Sequence, residues 1–137
     1  VIDPTLAKDV PAEHDVMTVV YVDAKQAVMV DDTYGITEKD GVKTALVLFA
    51  YNPKIPQDID GNAESGRVAI HCENLEYKML SDNVLDNKGV VVKQFDQPKK
   101  TWKPIPRSTI VWNIADWVCN GERQEPSKEK SDNSTRI

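Results

Sequence analysis

The ten residues Val42–Tyr51 constrain this chain more than any others. They read VKTALVLFAY, just after an Asp40-Gly41 turn signal. Side chains of a strand alternate between faces, so Ala45, Val47, Phe49 and Tyr51 share one face and Leu46, Leu48 and Ala50 the other. A strand that is apolar on both faces belongs inside a sheet, with something covering each side. A helix is the economical cover. Residues 108–121 supply one: Ile110, Val111, Ile114, Trp117 and Val118 recur at helical spacing, Ser108 is placed to cap the start, and Gly121 closes the end. Its β-branched content lowers intrinsic propensity, so this helix should depend on packing, with Ile114 and Val118 against the sheet.

Other strands flank the central one. Residues 16–22 (VMTVVYV) and 27–30 are rich in β-branched side chains and are separated by Asp23–Gln26, a hairpin connection. Residues 52–66 hold two prolines and two glycines and read as a long loop. In residues 67–80, Val68, Ile70 and Cys72 share one parity, whereas Leu75, Tyr77 and Met79 share the other. A single strand changes parity only through an extra residue, so the pattern predicts a β-bulge near Glu73-Asn74. Residues 81–88 read as a turn-rich connector and 89–95 as a further strand. Residues 96–106 carry Pro98, Pro104 and Pro106 and are excluded from a sheet interior. The expected organisation is an extended or disordered arm over 1–15, an α+β domain over 16–120, and a disordered polar tail over 121–137.

The two cysteines, Cys72 and Cys119, admit one disulfide or two free thiols. A bridge would tie the helix to the strand it covers and would imply an oxidising compartment. Closing a loop of that length would stabilise the fold by about 4 kcal/mol.

Charge narrows the function classes. The 137 residues carry a net −5, which argues against a general nucleic-acid binder. No apolar run is long enough for a transmembrane helix. Residues 1–40 hold nine acids against three lysines, whereas Lys93, Lys99, Lys100, Lys103 and Arg107 oppose only Asp96 within residues 93–107. Acidic and basic regions of this kind are solvated surfaces or contact patches for a charged partner. Lys99, Lys100, Trp102, Lys103 and Arg107 combine charge with an aromatic ring, a mixture suited to acidic polymers or glycoproteins. Trp112 falls off the main stripe of the helix and packs on neighbouring loops or on a second copy.

Catalytic and metal signatures are weak. His71 and Cys72 point to opposite faces of a strand, so the histidine does not serve the thiol as a base. Residues 58–64 alternate oxygen-bearing side chains but lack the glycine and the final glutamate of a calcium loop. No phosphate loop, nucleophile elbow or dinucleotide fingerprint occurs. Asn133-Ser134-Thr135 is a glycosylation sequon within the polar tail. No enzyme activity, cofactor or metal is expected.

Ser65-Gly66 before Arg67 to Cys72, then Tyr77-Lys78-Met79-Leu80, together with Trp102-Lys103-Pro104-Ile105-Pro106-Arg107-Ser108 and a helix ending in Val118-Cys119, resemble the surface-adhesin protein E-like family of Gram-negative bacteria. The resemblance implies an antiparallel sheet of about six strands with a C-terminal helix disulfide-linked to it. It also implies an exported, envelope-anchored protein that binds host matrix or serum glycoproteins and can dimerise. Carried onto this chain, the family's binding region covers residues 67–91, with Lys78 its foremost candidate. The other expectation is a periplasmic accessory protein that binds another envelope component.

Overall fold

A computed structural model describes residues 2–11, 16–31, 35–56, 61–95, 101–107 and 109–120. The strands are β1 (Met17–Val22), β2 (Gln26–Asp31), β3 (Thr37–Lys39), β4 (Val42–Tyr51), β5 (Ala63–His71), β6 (Glu76–Met79), β7 (Asn83–Leu85), β8 (Val91–Gln94) and β9 (Lys103–Pro104). The helices are α1 (Pro4–Ala7) and α2 (Ile110–Asn120). All pairings are antiparallel within one sheet. The protein is α+β: an antiparallel sheet, one C-terminal helix and a Cys72–Cys119 disulfide that joins them.

The nine segments fill six positions. β2 and β3 share one edge of β4, β6 and β7 share one edge of β5, and β8 and β9 lie outside β7 and β6. The sheet is therefore a meander in chain order, and most pairing partners are close in sequence. Tight turns make this possible. Asp40 and Gly41 both take positive φ (53° and 80°), as a two-residue hairpin turn between Lys39 and Val42 requires. Asp23 Oδ1 accepts from the amides of Lys25 and Gln26 in the β1–β2 turn, and Asp86 Oδ1 accepts from those of Lys88 and Val90 in the β7–β8 turn.

The parity change in residues 67–80 has a different cause from the bulge expected near Glu73-Asn74. Residues 72–75 are a chain reversal, and β6 folds back on β5 with Val68 opposite Met79 and Ile70 opposite Tyr77. Both apolar sets then reach the same face. A bulge does occur later, where the chain passes from β6 to β7. Three steps along β5, from Val68 back to Ser65, face four on the partner, from Met79 to Asn83. Gly66 sits under this bulge: a Cβ there would lie 2.1 Å from the Ser81 carbonyl oxygen. Residues 63–66, expected in the long loop, are strand because they pair with β4, and 83–85, expected in a connector, are strand because they pair with 63–65 along this continuation.

One face of the sheet carries the core. Val28, Val30, Ala45, Val47, Val68 and Ile70 meet Ile114, Ala115 and Val118 of α2, and Ile105 closes one side. Thr109 caps the start of α2; Ser108, expected as the cap, lies outside the described residues. The Thr109 hydroxyl accepts from the Trp112 amide at 3.1 Å and donates to the Pro106 carbonyl. At the far end Lys43 Nζ donates to the Val118 carbonyl, a cation at the negative end of the helix dipole. Trp117 Nε1 donates to the Asp31 carbonyl and fixes the helix over β2. The Cys72 and Cys119 Cα atoms are 5.8 Å apart across the disulfide, which joins the β5–β6 turn to the last turn of α2.

The other face is covered in part, by the N-terminal arm with its one-turn helix α1 rather than by a long helix. Over its described residues the arm is not extended. Asp3 caps α1 by accepting from the Thr5 amide, and its own backbone pairs with the Gln94 side chain. Asp9 is buried (7% exposed) because its carboxylate accepts from Ser81 Oγ and Arg67 Nε and its carbonyl accepts from Ser65 Oγ. A buried carboxylate needs such partners, and they anchor the arm across β5. Residues 121–137, expected to be disordered, lie outside the described residues.

Candidate ligand-binding surface

The β5–β6 reversal positions the candidate site. Leu75 occupies the left-handed region (φ 55°) and its carbonyl accepts from the Ile105 amide, which guides β9 alongside β6. Tyr77 then faces Lys103, and Glu76 faces Pro104. A two-residue strand ending in proline suits an edge, and the described part of the proline-bearing segment joins the sheet there.

This register brings Lys78 and Trp102 together. Lys78 lies opposite Ala69 on the face away from α2. Its Nζ sits 4.5 Å from the centroid of the Trp102 ring. His71 meets the same ring edge-on, with centroids 6.1 Å apart, while its Nδ1 accepts from the Asn74 amide. A half-exposed cation–π pair contributes about 0.5–1 kcal/mol, enough to orient both side chains. The result is a half-buried aromatic plate with a positive charge on it, on a face that solvent reaches.

The other described basic residues of the segment do not join this pair. Lys103 faces Tyr77, which packs on the core, so Lys103 belongs to the helix side of the sheet. Arg107 also lies on that side, with its guanidinium 4.8 Å over the Trp112 ring. Trp112 therefore packs on the core and on the chain's own Arg107. Lys93 Nζ lies 5.8 Å from the Phe95 ring, on a third element. Lys99 and Lys100 lie outside the described residues, as do His14, Asp58, Asp60 and the sequon. The basic segment is thus divided between two faces of the sheet and forms no single patch among the described residues.

A second polar group was invisible in the sequence. The Tyr51 hydroxyl donates to Glu64 Oε1, and the Asp82 carboxyl hydrogen-bonds the same Glu64. Burial first, and then the Glu64 charge, pushes the Asp82 carboxyl up to about 8. Burial and the hydrogen bond to Glu64 raise the Tyr51 phenol. Glu64 and Asp82 come together because β5 and the β6–β7 bulge lie side by side, and no local motif announces that. The cluster holds no cysteine or histidine, and among the described residues no group of three or more metal-ligating side chains occurs.

Comparisons with protein-family models, with curated proteins and with solved structures found no match to this chain.

Proposed function

We propose that this protein is a non-enzymatic binding module of the bacterial envelope or cell surface, an adhesin-type domain for host matrix or serum glycoproteins. The observation that carries the reading is Lys78 seated on Trp102 beside His71 on the face away from α2. Such a surface suits an anionic, partly apolar partner: the ring supplies contact area, and the ammonium supplies charge. Two further points support it. The resemblance to protein E-like adhesins runs through the segments that hold Lys78 and Trp102, and the disulfide suits an oxidising, exported setting.

The test is binding to immobilised matrix and serum glycoproteins across a salt series. Binding through this surface should weaken as salt rises. It should be lost in Lys78→Glu and in Trp102→Ala, and kept in a Lys103→Glu/Arg107→Glu variant, whose changes lie on the helix side. No binding at low salt, or binding indifferent to Lys78→Glu, refutes the assignment. Salt-insensitive binding would favour the second reading, an accessory protein that holds another envelope component through an apolar surface.

A further inference from the structure

The N-terminal arm commits little of itself to the sheet. Among its described residues Asp9 alone is buried, and residues 2–5 and Lys8 are exposed. The groups that hold Asp9 all belong to the sheet. Its Oδ2 accepts from Ser81 Oγ at 2.7 Å, its Oδ1 from Arg67 Nε at 3.1 Å, and its backbone carbonyl from Ser65 Oγ at 2.7 Å. Ser81 and Ser65 are themselves 0% and 1% exposed.

All three groups act as donors. The Ser81 hydroxyl already accepts from the Arg67 amide at 3.0 Å, so its own hydrogen is directed at the arm. A guanidinium has no acceptor to offer, and Ser65 gives its hydrogen to the Asp9 carbonyl. The bulge after β6 builds this arrangement, because it sets the Ser81 side chain against the Arg67 amide. Buried donors are costly to leave open, so a carboxylate here is exchanged for another acceptor rather than simply lost. The socket also lies on the face that carries Lys78. Ser65, Arg67, Ala69 and His71 alternate with the core residues of β5 and share the face away from α2. Ala69 is the partner of Lys78, and Arg67 follows two residues, roughly 7 Å, along the strand. The Arg67 side chain is 33% exposed, so a ligand can reach it.

We propose that Ser65, Arg67 and Ser81 form a binding site for an acidic residue in a peptide segment of a partner protein, and that Asp9 occupies it as a tethered stand-in. The occupant in place shows what the site takes. Asp9 supplies three acceptors from one residue, two carboxylate oxygens and its own carbonyl, which specifies an aspartyl residue within a chain rather than a free anion. Lys78 on Trp102, alongside, extends the site to a segment that is acidic and partly apolar. The proposal rests on the binding reading above for the existence of a partner, and adds to it a second subsite and an internal competitor. A tethered competitor lowers the apparent affinity of any ligand that needs the same donors.

The probe is a synthetic peptide of alternating aspartate and leucine, titrated into the full chain while the Arg67 Nε–H resonance and the Thr5 and Asp9 amides are followed by NMR. In the wild type the peptide should shift the Arg67 signal and both arm amides together, as one carboxylate replaces the other. Asp9→Ala should bind the peptide at least about tenfold more tightly, because the competitor is gone. Asp9→Asn, which keeps the shape of the side chain, should show a smaller gain and serves as the second variant should the first fail to fold. Asparagines in place of the peptide's aspartates should weaken binding about tenfold, and Ser81→Ala in the Asp9→Ala background should remove the gain. Unchanged affinity in the Asp9 variants, equal binding of the asparagine peptide, or an Arg67 resonance that does not move overturns the proposal and leaves Asp9 a structural anchor. The two readings fail separately. Glycoprotein binding that depends on Lys78 but gains nothing in Asp9→Ala refutes the socket alone, whereas peptide binding at Arg67 without glycoprotein binding refutes the adhesin reading alone.

Discussion

Replacing Cys72 and Cys119 together by alanine should cost this fold a large share of its stability. The two residues are 47 apart in sequence, and they join the β5–β6 turn to the end of α2. In the chain-entropy view the bridge removes freedom from the unfolded chain, by about 4 kcal/mol for a loop of this length. The half-buried sulfurs also pack on the core, and truncating them adds about 0.5–1 kcal/mol. Against a total of about 5–15 kcal/mol for an ordinary domain, this is a severe loss. With unfolding entropy of about 2 cal/mol/K per residue, it corresponds to a melting point lower by about 15–20 °C. Urea unfolding followed by the fluorescence of Trp102, Trp112 and Trp117 would measure it. The midpoint should fall and the m-value should rise, because the unfolded chain without the bridge exposes more surface. Wild-type protein under reducing conditions should coincide with the variant. A loss below about 1 kcal/mol, or a reduced wild type that keeps its oxidised stability, would refute the view that the bridge holds the helix on the sheet.

Gly66→Ala should destabilise by at least about 2 kcal/mol, because its Cβ would meet a backbone oxygen rather than a movable side chain; thermal melts would show this, and a shift of a degree or two would contradict the tight approach at the bulge. Asp82 introduces a pH dependence whose sign is determined by the direction of its shift. Its folded pKa, about 8, lies above its unfolded value near 4, so the folded state holds the proton through that window. The stability it contributes is complete below about pH 4 and falls as pH rises toward 8, by about 1–2 kcal/mol once screening at this partly exposed site is counted. In Asp82→Asn that decline should disappear, so the variant gains on wild type as pH rises from 4 to 8. Parallel stability profiles for the two proteins would count against a raised Asp82 carboxyl.

Periodicity and punctuation made much of the fold legible. Val42–Tyr51 is central, flanked by β2 and β5, because only an interior strand buries two apolar faces. Ile114 and Val118 are buried at 3% and 2% exposure, as the helical stripe required. These are properties of neighbours in sequence, fixed by the geometry of strand and helix. Residues 67–80 show where that stops. A parity change is compatible with a bulge or with a reversal, and the choice depends on whether β6 finds a partner in β5. The second face of β4 shows the same limit: a cover was required, but Asp9 and the arm provide part of it through partners more than fifty residues away.

The candidate site divides along the same line. Lys78 and Trp102 could each be singled out by residue type, but their meeting rests on β9 joining β6, a pairing across some twenty-five residues. Five basic residues within fifteen positions looked like one patch, yet strand alternation and the crossing to α2 separate Lys103 and Arg107 from the Lys78 face. Glu64 and Asp82 had no local signal at all, because the rise of the Asp82 carboxyl comes from burial and from the neighbouring Glu64. Local sequence could specify strands, turns and the helix, since each depends on steric preference or periodicity over a few residues, while it left Cys72 and Cys119 as a bridge or two thiols. Which charges meet and which face each side chain takes were decided by long-range register, where one residue of slip moves every side chain to the opposite face.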